Sequence, residues 1–167
     1  AVELVQSNCR KEECLMGNVV ADAILDKTKH LGVTAVIQNG GGVRATIGQG
    51  EVTMGQVLTV LPFQNAIATL GIKGADLVAS LENGVSQVET NGGRFPQVAG
   101  MRYVWDPAAP AGKRIVTVEM RQADGSFAPL DPAATYKIAT NDFVRRGGDG
   151  YAMFRDRGID PYDFGPG

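Results

Sequence analysis

The chain has 167 residues, 44% of them apolar, with 16 basic against 18 acidic side chains for a formal net charge of −2. That length suits one domain able to bury a core, so disorder is excluded as the default. So even a charge balance argues against a nucleic-acid arm or a polybasic membrane patch, and no run approaches the ~18 uninterrupted apolar residues of a membrane span.

Residues 2–5 are expected to form a short strand. From Leu15, the residues Leu15, Met16, Val19, Val20, Ala23 and Ile24 recur at helical spacing, predicting a helix over about 14–29 that ends near Gly32. Val33 to Ile37 is a short β-branched apolar run, hence a buried strand, broken by Asn39-Gly40-Gly41-Gly42. Thr53 is placed to cap a short helix through Met54, Val57 and Leu58, stopped by Pro62. Ala66 to Ile72 reads as a strand, and a helix of about 75–88 follows Lys73-Gly74, with Leu77, Val78 and Leu81 on one face. After Asn91-Gly92-Gly93, residues Val98 to Trp105 and Arg114 to Arg121 alternate as strands, with a turn at Asp124-Gly125. Tyr136 to Thr140 is a further strand, leading into Asn141-Asp142-Phe143 and a loop over 145–150. Helices and strands mix without strict alternation, which favours an α+β fold with a mixed sheet and packed helices over a doubly wound parallel sheet. There is no internal repeat or evident linker, so 1–167 reads as a single domain. The start at Ala1-Val2-Glu3-Leu4 and the end at Asp163-Phe164-Gly165-Pro166-Gly167 read as cut from something longer.

The 22 glycines exceed the usual ~7% of a chain and cluster at 40–42, 92–93 and 147–150. Glycine permits positive φ and close approach of backbone to a ligand; for 92–93 plain turn chemistry is the expected role. Asn39 to Arg44 follows a buried strand, where α/β proteins often place ligands. It fits neither a Gly-Lys-Ser/Thr phosphate loop nor a Gly-x-Gly-x-x-Gly turn. It offers an amide at Asn39, exposed backbone through Gly42, and a guanidinium at Arg44 that can grip an anion. Phe63, after Leu61-Pro62, and Phe143 could stack a flat ring or be core. Asp149 could accept from sugar hydroxyls or cap its turn. Arg10, between Cys9 and Cys14, could be a ligand contact or simply solvated. The two cysteines could form a disulfide or remain buried thiols, and only the first points to an oxidising compartment. His30, the one histidine, follows a predicted helix end and reads as a surface residue. No triad and no His/Asp cluster is available for a metal centre, so none is expected in this chain.

Taken in order, Cys9-Arg10, Met16-Gly17-Asn18, Asn39-Gly40-Gly41-Gly42-Val43-Arg44, Leu61-Pro62-Phe63, and Asn141-Asp142-Phe143 with Gly147-Gly148-Asp149-Gly150-Tyr151 resemble the C-terminal domain of the 5′-nucleotidase family. That family includes ecto-5′-nucleotidases, UDP-sugar hydrolases and 2′,3′-cyclic-nucleotide phosphodiesterases. The resemblance runs from Cys9 to about Phe154. It implies that Phe63 and Phe143 sandwich a nucleobase, Asn39 hydrogen-bonds the base, Arg10 and Arg44 reach phosphates and ribose, and Asp149 accepts from the ribose hydroxyls. It also implies a Cys9–Cys14 disulfide and a periplasmic or extracellular location. The family's dimetal phosphoesterase domain, with two divalent metals, is absent and would be an N-terminal partner in cis. This chain alone would supply substrate binding, with no cofactor of its own and no nucleic-acid polymer as partner. Two rivals stand beside that reading. One keeps the family but acts on cyclic nucleotides, UDP-sugars or sulfur esters; the other is a non-catalytic binding module whose exposed Phe residues contact protein.

Overall fold

The computed structural model describes Val5 and residues 8–164. Apart from Val5, the strand expected over 2–5 lies outside the described residues. The elements are α1 (Leu15–Thr28), β1 (Ala35–Asn39), α2 (Met54–Val60), β2 (Ile67–Lys73), α3 (Gly74–Gly84), β3 (Pro96–Ala99), β4 (Met101–Trp105), β5 (Ile115–Arg121), β6 (Phe127–Pro129), β7 (Thr135–Asn141), α4 (Asp142–Arg145), α5 (Ala152–Arg157) and β8 (Ile159–Asp163). Five strands form a mixed sheet in the order β3-β1-β7-β2-β8, and β4-β5-β6 form a second, three-stranded sheet. Within the larger sheet β1 and β7 run parallel, while the pairs β1/β3, β2/β7 and β2/β8 are antiparallel. The fold is α+β, as the mixed pattern of elements implies.

The period-2 alternation of a strand decides which layer each residue joins. Val36 and Ala139 turn toward α1 and meet Ala21, Val33 and Ala99. Ala35, Ile37 and Ile138 turn the other way, into a core with Leu77 and Leu81 of α3, Phe154 of α5, and Met101, Val118 and Met120 of the small sheet. A third cluster joins Cys9, Cys14, Met16 and Val20 to Val43, Ile47 and Val60, so the start of α1 is packed against the segment after β1.

Local chemistry accounts for most boundaries. Cys14 caps α1, its Sγ accepting from Gly17 N at 3.1 Å, and the helix gives way to a 3₁₀ turn at Lys29–Leu31 that Gly32 closes at φ 81°. Thr53 and Gln56 form a reciprocal capping box on α2. The helix expected over 75–88 is α3 as far as Gly84, continued by a 3₁₀ turn at Val85–Gln87. Where the α-helix gives way to the 3₁₀ turn, the Val85 carbonyl accepts from Arg114 Nη1 at 2.6 Å, and a Cβ on Gly84 would lie 2.7 Å from Pro96 Cδ.

The single strand expected over 98–105 is instead two strands in different sheets. Gly100 adopts φ 73°, and a Cβ there would stand 2.1 Å from the Thr34 carbonyl oxygen. The chain therefore leaves one sheet and enters the other at this glycine. The strand expected over Val33 to Ile37 lies two residues further on, so it carries Asn39 to its end. Missing from the sequence-based expectation are β6, β8 and the short helices α4 and α5. β8 reads poorly as a strand because it contains Pro161; as the outer strand of its sheet it tolerates a residue without an N–H.

Candidate functional site

The parallel pairing of β1 with β7 puts their carboxyl ends side by side, and the antiparallel β2 begins at the same end, with Ile67 opposite Asn141. Three segments thus converge there: the Gly40–Gly42 turn after β1, the loop before β2 that carries Phe63, and α4, which carries Phe143. The carboxyl ends of parallel strands are a common place for ligands.

A cavity of about 460 Å³ opens at this point, lined by Arg10, Asn39, Gly41, Gly42, Arg44, Phe63, Asn65, Gly93, Phe143 and Asp149. All seven residues singled out from the sequence, Arg10, Asn39, Gly42, Arg44, Phe63, Phe143 and Asp149, are therefore together. Gly41, Gly93 and Asn65 join them.

Phe143 and Phe63 remain 46% and 57% exposed, which sets them apart from core phenylalanines such as Phe154 at 1%. Asn141 caps α4 by accepting from Val144 N at 2.9 Å and so fixes the turn that presents Phe143. A Cβ on Gly148 would lie 2.5–2.6 Å from Cε1, Cζ and Cε2 of Phe143. Such even distances place the glycine over one face of the ring. The bare Gly148 backs that face, and the ring's opposite face is not covered by it. The Arg44 guanidinium carbon stands 5.9 Å from the Phe63 ring centroid, within cation–π range.

The polar floor is a buried amide chain. Asn39 Nδ2 donates to Asp149 Oδ2 at 2.7 Å. Asn39 Oδ1 accepts from Asn141 Nδ2 at 2.9 Å and from Gln38 Nε2 at 3.3 Å. With both lone pairs engaged, Asn39 has one N–H with no hydrogen-bond partner among the described residues. Asp149 sits at φ 53°, its carbonyl held by Asn83 Nδ2 at 3.1 Å. Arg94 Nη1 in turn holds Asn83 Oδ1 at 3.0 Å, and the Tyr151 hydroxyl donates to the Arg94 carbonyl at 2.6 Å. Burial pushes the Tyr151 hydroxyl far above its ordinary pKa, so it stays a neutral donor.

Gly92-Gly93, expected to be a plain turn, has a packing role as well. Gly41 N donates to Gly93 O at 2.7 Å, and a Cβ on Gly41 would lie 2.7 Å from Gly93 Cα. The two backbones approach this closely because Gly41 carries no side chain, and Gly93 thereby reaches the cavity wall. Asn65 carries no sequence signal that separates it from an ordinary loop asparagine. It is exposed, lines the cavity, and among the described residues its amide has no hydrogen-bond partner.

Cys9 and Cys14 are joined by a disulfide, and Arg10 lies within the closed loop, its Nη1 donating to Asn91 O at 3.2 Å. Arg145 and Arg146 do not line the cavity. Arg145 Nε donates to Asp163 Oδ1 at 2.6 Å and its Nη2 to Oδ2, while Arg146 Nη2 donates to Oδ2 at 2.8 Å. This fork ties α4 to β8 behind Phe143. Hydrogen bonding by Arg145 holds the Asp163 carboxyl below its ordinary range. A carboxyl depressed in the fold stabilises it above the unfolded value of about 3.9. That stabilisation is lost as pH falls through the lower folded value. Asp163→Asn should therefore lower the melting temperature at neutral pH, and thermal melts in acid should show variant and parent converging as the carboxylate range is passed.

His30 is exposed in the 3₁₀ turn after α1. Among the described residues no group of three or more His, Cys, Asp or Glu side chains is placed to hold a metal ion, and no helix is long and apolar enough to cross a membrane.

Comparison with known proteins gives a consistent picture. The family model described as "5′-nucleotidase, C-terminal domain" matches residues 1–156. The trifunctional nucleotide phosphoesterase YfkN of Bacillus subtilis is 39% identical over 157 residues, covering 93% of this chain and 11% of that protein. A 5′-nucleotidase precursor from Thermus thermophilus superposes with a TM-score of 0.93 at 43% identity, over 97% of this chain and 32% of the other. The NAD nucleotidase of Haemophilus influenzae superposes at 0.84 with 30% identity, over 98% of this chain and 31% of the other. The chain thus spans from about a tenth to a third of the length of these relatives.

Proposed function

This chain belongs to the family of 5′-nucleotidase C-terminal domains, and from that premise we propose that it is the nucleotide-binding part of a metal-dependent phosphoesterase. The observation that carries the reading is the single cavity in which two half-exposed aromatic rings, two guanidiniums, a carboxylate and a nearly saturated amide meet. A base enters between Phe63 and Phe143. Stacking of this kind is worth about 1–3 kcal/mol per base and tolerates any base, since all present a flat face. The remaining N–H of Asn39 and the free amide of Asn65 face the base edge. Asp149 accepts from the ribose hydroxyls through the oxygen Asn39 leaves free. Arg10 and Arg44 hold the phosphate, where planar guanidiniums make charge-assisted bonds.

This chain's own part is to bind and orient. One histidine and the lack of a metal-binding cluster among the described residues do not fit a dimetal centre, so the two divalent metals belong to an N-terminal domain in cis. Fixing the phosphate ester against a nucleophile supplied there lowers the barrier by proximity. The Cys9–Cys14 disulfide supports an exported, periplasmic or extracellular protein.

The test is an amide-shift NMR titration of the chain with adenosine, AMP and ribose 5-phosphate, alongside a phosphate-release assay. Shifts clustered on Phe63, Phe143, Asn39 and Asp149 with adenosine and AMP, and no phosphate release, are expected. Robust metal-independent hydrolysis by the purified chain would overturn the division of labour.

A further inference from the structure

Arg10 owes its place to a loop that two different devices control. The disulfide joins residues 9 and 14, five positions apart. A cross-link that short shapes the loop but does not fix where the loop sits on the fold. Anchorage comes from Gln97 of β3, only 1% exposed. Its Nε2 donates to the carbonyls of Cys9 at 2.9 Å and Glu12 at 2.8 Å, and its Oε1 accepts from Cys14 N at 3.1 Å. Among the described residues, the hydrogen bonds that tie the backbone of residues 9–14 to the sheet all run through this one carboxamide.

Two glycines make room for the arrangement. A Cβ on Gly17 would lie 2.5 Å from Cγ, Cδ and Oε1 of Gln97, and one on Gly40 would lie 1.8 Å from the Cys9 carbonyl oxygen. The loop is thus seated between the end of β1 and the buried amide, with Arg10 at the cavity.

We propose that Gln97 is a positioning residue for Arg10: by fixing the disulfide loop on β3 it sets the reach of that guanidinium and so the preference for a phosphorylated ligand over the bare nucleoside. This rests on the nucleotide-binding reading above. Gln97 itself does not line the cavity. Its buried bonds matter because an unmade bond to a buried carbonyl is costly, so without them the loop moves until water satisfies Cys9 and Glu12.

The experiment measures affinities for adenosine and AMP in the parent chain, Gln97→Glu, Gln97→Met and Arg10→Ala. Gln97→Glu keeps an acceptor for Cys14 N but sets a lone pair against both carbonyls, whereas Gln97→Met keeps the volume and removes all three bonds. Each variant should lose at least about fivefold of the parent's AMP-over-adenosine preference, with adenosine affinity within about twofold of the parent's. Reducing the disulfide in the parent should cost less of that preference than Gln97→Glu does, because the anchor remains.

Gln97 variants that keep the parent's ratio overturn the inference and leave the base clamp standing. So do variants that lose adenosine and AMP binding equally, since that is a general structural effect. Reduction that costs more than Gln97→Glu assigns the positioning to the disulfide and also overturns it. A parent that binds adenosine and AMP equally removes the phosphate role of Arg10, and the inference with it. A parent that binds neither overturns the nucleotide-binding reading itself.

Discussion

Phe143→Ala should weaken adenosine binding by roughly 5- to 150-fold, the loss of a stacking contact worth about 1–3 kcal/mol, while leaving the fold intact. The ring is 46% exposed, so truncation opens no core cavity, and its turn is held by the Asn141 cap and by the Asp163 fork rather than by the ring. Gly148 backs one face of the ring, so in the parent the ring is already stiffened for stacking and little ordering remains to be done on binding. Phe63→Ala should cost less. Its ring is 57% exposed, on a loop with α2 on one side and the positive-φ Gln64 on the other, and more of its gain is spent on ordering. Isothermal titration with adenosine checks both. Unchanged affinity in both variants would favour a protein-contact role for the two rings.

Asp149→Asn should lower affinity for adenosine by about tenfold or more, from the 1.5–3 kcal/mol typical of hydrogen bonds to a charged group, and should leave 2′,3′-dideoxyadenosine nearly unaffected. The carboxylate spends Oδ2 on Asn39 Nδ2, and among the described residues Oδ1 has no hydrogen-bond partner. That oxygen is the one free to receive a ribose hydroxyl. Asparagine is the informative replacement because the position sits at φ 53°, a left-handed conformation that Asn tolerates and most residues do not. Equal losses for the ribo- and dideoxy-ligands would show that the residue holds the amide chain together and does not contact ribose.

Most of the residues that line the cavity are singled out by the order of the motifs they belong to, since alone Phe63 and Phe143 read equally as core and Asp149 as a turn cap. Asn39 to Arg44, Leu61-Pro62-Phe63 and the run after Asn141 each stand where glycine or proline breaks an apolar run, and ligand-facing loops gather there. Gln97 had no such mark. It falls just before the strand expected from Val98, and only the packing of β3 against the Cys9–Cys14 loop gives its amide three partners. Gly93 read as a turn because its close neighbour, Gly41, lies far away in sequence. The division of residues 96–105 between two sheets was hidden for a similar reason. Alternation continues in character across Gly100, and what breaks the strand is the Thr34 carbonyl, brought there by the tertiary fold. β8 was missed because polar residues and Pro161 mask an outer strand that pairs along one side only.

Base binding by this chain rests on a nucleobase lying between Phe63 and Phe143. Intermolecular NOEs between the ring protons of these two residues and H2 and H8 of AMP, measured on the chain saturated with ligand, test it most directly. Contacts from the base protons to both rings are expected. Bound AMP whose base protons contact neither ring would contradict that placement.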